Sequence, residues 1–502
     1  MKIEMLPQEC WWGGIVDFGW EMPWDETSCV TLDPTSMGRD QRTPVYLSSC
    51  GRCLWSDSPF TLTFRNGIME TDREVRLARE SNNLKGAHAA MWKALDSQNA
   101  IPDRRFFTVP QYNTWMELTY GQEQTRILEY AHAIVDNGME PGILMIDEGW
   151  SEDYGVYDFY PGRFSDPVGM IRELHELGFV VMLWVTPYIS PDSNAFRSLR
   201  NTDLLLRNRE GQFALREWWN GFSCVLDLSN PAAGDWLREK LVRLQNVYGI
   251  DGFKFDGGDP AMYRWDDRRA SPRLPLECTE DYGKFASFWP FNELRAVWNQ
   301  GGQPLVCRLQ DKLHVWDARG LKAVIPGMIA QGLLGYYYGC PDMIGGGDYA
   351  SLSDDAGLDG ELYIRWLEAS LLCPMIQFSL APWRILSPPN FETVRKLISL
   401  RRRYTPHILA AVENAARNHE PVLRSLEYEY PGEGYEREQS MYLLGGTCLL
   451  VPMLEKGGIE RTVRLPRGEW RESDGTLYSG GSEVTLTYPL DKVYIFEKQI
   501  NA

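Results

Sequence analysis

The chain has 502 residues, 44% hydrophobic and 24% charged, the balance of a soluble globular protein with room for two or three domains. Its 69 acidic against 51 basic residues leave a formal net charge of −18, which argues against a phosphate backbone or an anionic membrane surface as partner. No apolar run reaches spanning length and no signal-peptide pattern follows Met1, so a cytoplasmic protein is expected.

Metal chemistry finds no support in the spacing of ligands. The ten cysteines are scattered, with one C-x-x-C at Cys50 and Cys53, and the six histidines form no H-E-x-x-H or paired-His helix. The basic clusters "DDRRA" and "RRRY" are short and read as solvated faces. Aromatic residues are abundant, with 19 Trp, 24 Tyr and 19 Phe. Many belong in a core, but a surplus in loops also suits a cleft where rings stack on sugar faces.

Residues 1 to 104 read as a β domain: "TPVYLSSCGRCLWS" and "SPFTLTFRNGIMET" alternate and are broken by Gly, Pro and Ser, and a helical stretch follows at "GAHAAMWKAL". From 105 to 404 the rhythm is strand, helix, strand. "FFTVPQYNTW" precedes the helical "GQEQTRILEYAHAIVDNG", which stops at Gly138. Then come "GILMIDEGW", "VGMIRELHELG", "FVVMLWVTP", "SCVLDLS", a helix after Pro231, "DGFKFDGGD", "PLVCRLQD", "LKAVIPGMIAQGL", "LGYYYGCPDMIGG", "ELYIRWLEASLL" and "PMIQFSLAPW". Apolar strands alternating with helices predict a (β/α)8 barrel of the TIM type. Seven strands are placed and the eighth is left open. A doubly wound sheet is the alternative, but no Gly-rich phosphate turn follows the first strand. Past 405 the helices are expected to cease, and "SMYLLGGTCLLVPML", "RTVRLPRGEW" and "SEVTLTYPL" form a small C-terminal β domain, residues 405 to 502.

In such a barrel the C-terminal strand ends carry the active face. Asp147 closes "GILMID", Asp256 closes "GFKFD", Asp342 follows "YYYGCP", and Asp317 lies in "HVWDARG". Trp115, Trp184 and the pair Trp218 and Trp219 occupy similar positions. Carboxylates and indoles on one rim, without metal ligands, fit glycoside chemistry. A retaining glycosidase sets two carboxyl groups roughly 5–5.5 Å apart, one ionised nucleophile and one acid that later acts as base. Asp256 suits the first role: a strand end fixes it, Lys254 and Arg308 are candidate charge partners, and Gly257 and Gly258 leave room for a sugar ring. Asp317, next to Trp316, suits the second. Each has a plainer reading: an Asp after a strand is often a turn former, Asp317 could cap a helix near Leu321, Asp227 in "VLDLSNP" reads as a turn residue, and Trp184 or Trp219 alone could be core.

Longer segments resemble glycoside hydrolase family 31, the α-glucosidase family, and within it the branch of the myogenesis-regulating glycosidase and related bacterial α-galactosidases. The resemblance is carried by "CWWGG", "TPVYLSSCGRCLWSD", "WWNGFSCVLDLSNPAAGDWL", "FKFDGGD", "VWDARGLKAVIPGMIAQGLLGYYYGCPDMIGGG", "LYIRWLEASLLCPMIQFSLAPW" and "LLVPMLEKG", in order along the chain. It implies that Asp256 is the nucleophile and Asp317 the acid/base. It places Arg308, Trp115, Asp147, Trp219, Trp184 and Asp342 around the sugar, with Asp147 accepting from sugar hydroxyls and Arg308 orienting the nucleophile. Two features depart from the family pattern: Asp259 stands where Glu is usual after the nucleophile turn, and W-x-G-D is reduced to "VWDARG", which makes Asp311 the second candidate acid.

The activity implied is that of a retaining, exo-acting α-galactosidase needing no cofactor. The same machinery with α-glucosidase or α-xylosidase specificity, and a non-catalytic carbohydrate-binding scaffold, are the alternatives. The partner expected is an oligosaccharide or glycoside, and a homo-oligomer is compatible with the sequence. The N-terminal "WWGGIVDFGWEMPWDE" is read either as reaching over the cleft through Trp20 and Trp24 or as ordinary packing of the β domain.

Overall fold

Ile143–Ile146 and Val180–Val185 are short runs of apolar, partly β-branched residues buried along their whole length, which is what a parallel strand covered on both faces requires. The computed structural model describes residues 1–95, 100–351 and 357–499. Its fold is a (β/α)8-like parallel barrel, preceded by antiparallel sheets and followed by a small β domain, the class that the βα rhythm predicts. The chain divides into two units. One comprises Met1–Thr108, Gly301–Pro304 and Arg308–Ala502, and the other Val109–Gln300 and Leu305–Cys307.

The unit built mainly from Val109–Gln300 carries the parallel strands Gln111–Asn113, Ile143–Ile146, Val180–Val185, Gly252–Phe255 and Asn292–Leu294, paired in that order. Helix Pro167–Glu176 begins on the Asp166 side chain with Pro at its first position, and Pro231–Tyr248 begins on Asn230 and stops at Gly249, whose φ is 82°. In Gly252–Phe255 the side chains alternate. Phe253 and Phe255 pack against Trp289, and Phe255 also meets Tyr282 and Phe285 of helix Pro275–Ala286. Each ring is essentially buried, worth about 2–3 kcal/mol of transfer free energy. Lys254 therefore takes the opposite face, and Asp256, two residues on, shares it.

Two strand assignments differ from the sequence reading. "SCVLDLS" is not a barrel strand: Gly221–Val225 pairs antiparallel with Arg216–Trp218 and Tyr188–Ile189 in a separate three-stranded sheet. The parallel strand in its stead is Asn292–Leu294, whose polar Asn292 and Glu293 are both buried and break the apolar run that marks its neighbours. Asp227 is the turn former it was read as, accepting from Ser229 N and Oγ and from Ala270 N.

The other unit opens with two four-stranded antiparallel sheets formed from residues 2–79. Trp11 and Trp24 are buried there, and Trp24 stacks on Phe64 at 5.4 Å and meets Tyr46, so for Trp24 the packing reading holds; Trp20 is 39% exposed. The same unit carries the short strands Gly339–Cys340 and Gln377–Phe378 with helices Val324–Leu333 and Gly360–Ser370. The long helix Pro388–Asn418 continues past 405, where helices were expected to cease. Pro406 and the arginine run obscure Leu397, Tyr404, Ile408, Val412 and Ala415, which recur at helical spacing and are buried. Beyond it, six- and two-stranded antiparallel sheets enclose a core of Trp470, Leu449, Leu465 and Phe496. Among the described residues no helix is long and apolar enough to cross a membrane.

Candidate active site

Strand register places Trp184 opposite Lys254 and Lys254 opposite Glu293, three inward residues in one row. Asp147 follows the last paired residue of its strand, Ile146, and its Oδ2 accepts from Lys254 Nζ at 2.7 Å. Both side chains are nearly buried, at 3% and 6% exposed, so this ion pair sits where water screens it little. Asp147 is steadied further: its N–H donates to Thr114 Oγ1 and its Oδ1 accepts from Glu148 N.

Asp256 closes the next inward step. Its Oδ2 accepts from Trp184 Nε1 at 3.0 Å and lies 4.0 Å from Lys254 Nζ. Its Oδ1 accepts from Gly257 N at 2.8 Å and lies 3.5 Å from Arg295 Nε. Two donors and two cations thus fix one carboxylate in one orientation. Gly257 and Gly258 have φ of 71° and 69°, and a Cβ on either would run into protein: the Tyr188 ring at 2.8 Å for Gly257 and the Tyr282 ring at 2.5 Å for Gly258. The turn is glycine-rich because two tyrosine rings press on it, rather than to leave space for a sugar. Asp259 then clamps Arg295 through both terminal nitrogens at 2.9 Å each.

Glu148, beside Asp147, is a second buried carboxyl. It accepts from Tyr154 Oη at 2.5 Å, Trp219 Nε1 at 3.0 Å and Asn220 Nδ2. Trp219 and Asn220 form the two-residue tip of the hairpin whose last pair is Trp218 and Gly221, so one carboxyl holds both tip side chains. Burial pushes Glu148 up to about 7, and the Asp147 charge adds to the rise while the Tyr154, Trp219 and Asn220 donors oppose it. The Trp219 indole remains 50% exposed, whereas Trp184 and Trp115 are buried at 4% and 8%. Trp115 opens the short helix Trp115–Leu118, its N–H donating to Asn113 Oδ1.

In the other unit Arg308 is buried and its Nη1 bridges Asp311 and Asp342, at 2.7 Å to each. Asp342 is fully buried at a φ of 83°, and its Oδ2 accepts from Lys312 N and Gly347 N. Burial pushes its carboxyl up to about 7 against the pull of Arg308. With both oxygens bonded inside the chain, Asp342 anchors Arg308 and its loop. Asp311 is 43% exposed at its side chain. Asp317 is 52% exposed and pairs with Arg319 two residues on; those hydrogen bonds hold its carboxyl below the usual range. It does not cap the 3-10 turn Leu321–Ala323 through its side chain.

The sequence reading missed Arg295, Glu148 and Asn220. Arg295 directly follows the unrecognised strand Asn292–Leu294, and an Asp-Glu pair at the end of "GILMIDE" was the available signal for Glu148.

Comparison with known proteins gives the constellation a setting. Residues 109–302 match the TIM-barrel domain of the glycosyl hydrolases family 31, and residues 419–500 match the C-terminal domain of the same family. The chain is 32% identical to the myogenesis-regulating glycosidase of Mus musculus over 401 residues, covering 78% of this chain and 56% of that protein. It is 24% identical to alpha-glucosidase 2 of Bacillus thermoamyloliquefaciens, over 76% of this chain and 51% of that one. Among solved structures, the Flavobacterium johnsoniae GH31 dextranase complexed with glucose superposes with a TM-score of 0.86 at 20% identity, over 99% of this chain and 66% of that chain, a likeness of fold. The chain spans about half the length of these two curated relatives. With two models of one family matched in order and together spanning more than half of its residues, the chain belongs to glycosyl hydrolase family 31.

Proposed function

We propose that the protein is a retaining, exo-acting α-glycosidase that hydrolyses terminal α-linked sugars, with α-glucosides and α-xylosides ahead of α-galactosides. The observation that carries the chemistry is the fixed carboxylate of Asp256 at a barrel strand end, gripped by Trp184 Nε1 and Gly257 N with two cations nearby. In the first step an Asp256 oxygen bonds to the anomeric carbon as the glycosidic bond breaks, and Asp317 gives its proton to the leaving oxygen. In the second, Asp317 takes a proton from water, the water oxygen bonds to the same carbon, and the Asp256 ester bond breaks, releasing sugar with its configuration kept. Asp147, Arg308 and the indoles of Trp115, Trp184 and Trp219 bind the sugar. For Asp317 to act as acid, its pairing with Arg319 has to give way when the glycoside enters.

The ranking of substrates is supported by the named α-glucosidase relative; the α-galactoside reading keeps the support of the branch resemblance. Hydrolysis of aryl α-glucoside, α-xyloside and α-galactoside by wild type and by Asp256→Asn tests both points. Glucoside or xyloside turnover that vanishes in the folded variant is the expected result. Turnover of galactoside alone reverses the ranking, and turnover that survives in Asp256→Asn removes Asp256 from its role. Binding of these sugars without any turnover marks a carbohydrate-binding scaffold.

A further inference from the structure

Both cations near Asp256 are already committed to another carboxylate. Lys254 Nζ is 2.7 Å from Asp147 but 4.0 Å from Asp256. Arg295 gives both terminal nitrogens to Asp259 at 2.9 Å, while its Nε lies 3.5 Å from Asp256. Asp256, Arg295 and Asp259 are all largely buried, with side chains between 10% and 16% exposed. Asp259 directly follows the Gly257–Gly258 turn, whose φ values and tyrosine contacts fix the path of the chain to it.

We propose that Asp259 is a positioning residue that holds Arg295 back from Asp256, so that the nucleophile can lose its charge to a glycosyl ester without stranding a buried guanidinium. The inference rests on Asp256 being the nucleophile. A guanidinium in full contact with Asp256 would be left unpaired when the carboxylate becomes an ester, and an unpaired buried charge is costly. Held by Asp259 in a bidentate fork, Arg295 keeps its partner before and after the step. Its Nε still orients Asp256 at longer range. Besides Arg295 and Lys254, the ionisable groups near this carboxylate include Asp147 and Asp259 through those cations, Tyr282, whose hydroxyl donates to the Asp256 carbonyl, and Tyr188, which accepts from Gly258 N.

The test compares Asp259→Asn, Asp259→Glu and the double variant Asp259→Asn/Arg295→Gln with wild type, using the aryl glycoside that wild type turns over. Asp259→Asn releases Arg295 onto Asp256, so the acid limb of kcat/KM moves down by about one pH unit and kcat falls roughly tenfold. Asp259→Glu keeps the limb near wild type, and removing Arg295 in the double variant returns it upward. An unmoved limb in a folded, slowed Asp259→Asn overturns the proposal, as does a double variant whose limb stays low. Should Asp259→Asn fail to fold, Asp259→Ser takes its place and is read by the same limb: a limb lowered by about one pH unit is expected, and an unmoved limb overturns the proposal. Labelling wild type with a 5-fluoro glycosyl fluoride and locating the adduct by mass spectrometry checks the premise separately. Label on a residue other than Asp256 ends the nucleophile reading itself.

Discussion

Asp147, Asp256 and Asp259 of one unit and Asp317 of the other stand in opposite environments. Asp147 and Asp256 are buried and Asp259 largely so, each held by a cation. Asp317 lies in a solvent-facing turn with an exposed partner of its own, Arg319, whose side chain is 69% exposed. The first group is held in place by its cations; Asp317, to serve as the proposed acid, has to leave Arg319. On the proposed roles, preorganisation is concentrated on the carboxylate that bonds to the anomeric carbon, and proton transfer is left to a loop.

The largest effect that would break this contrast is loss of the fixed carboxylate. Asp256→Asn keeps shape and loses charge, so turnover should fall by about 10⁴-fold or more with the cooperative unfolding transition retained. An active variant would mean that the buried network is structural only. Next in size is the pair beneath it. Lys254→Met leaves Asp147 buried and unpaired and should destabilise the protein by about 3–5 kcal/mol, read from urea unfolding. Lys254→Met/Asp147→Leu should regain most of that stability while remaining inactive. A double-variant loss equal to the sum of the Lys254→Met and Asp147→Leu losses would show that the two residues act independently.

Glu148 sharpens the comparison through pH. Its folded carboxyl sits at about 7 against an ordinary value of 4.5, burial being the main cause. Between those values the folded state holds a proton that the unfolded state has released, so this group's contribution is full below about 4.5 and declines as pH rises towards 7. The decline is at most about 3 kcal/mol. Glu148→Gln should flatten the fall of unfolding free energy over that window; an unchanged slope would assign the pH dependence to other buried acids, such as Asp342.

How much of this was readable beforehand follows from what each residue shows locally. Asp147 and Asp256 end apolar runs, so periodicity alone carries them to a strand end, and the barrel follows from repetition of such runs. Arg295 was hidden because its strand, Asn292–Leu294, is polar in two of three positions and owes its place to parallel pairing with Gly252–Phe255 and Cys307–Arg308. The glycines after Asp256 were noticed but their cause was misjudged, since Tyr188 and Tyr282 come to the turn from elsewhere in sequence. Glu148 depends on a hairpin tip about seventy positions away. Local pattern locates strand ends; it does not say which long-range partners will occupy them.

The smallest expected effect concerns the exposed carboxylate, and it decides between two candidates for the acid. Arg319 holds the Asp317 carboxyl below its ordinary range by hydrogen bonding. Arg319→Ala removes that hold, so the Asp317 value rises and the basic limb of kcat/KM, where the acid must stay protonated, moves to higher pH. Because both side chains face water, the shift should be small and shrink as salt is added. If the limb does not move in Arg319→Ala, while Asp311→Asn abolishes turnover of a poor leaving group and spares an activated one, the acid is Asp311. The proton would then come from a carboxyl whose neighbour is the buried Arg308 rather than a solvent-exposed arginine, and the contrast between a fixed and a loosely held carboxylate would narrow to one of degree.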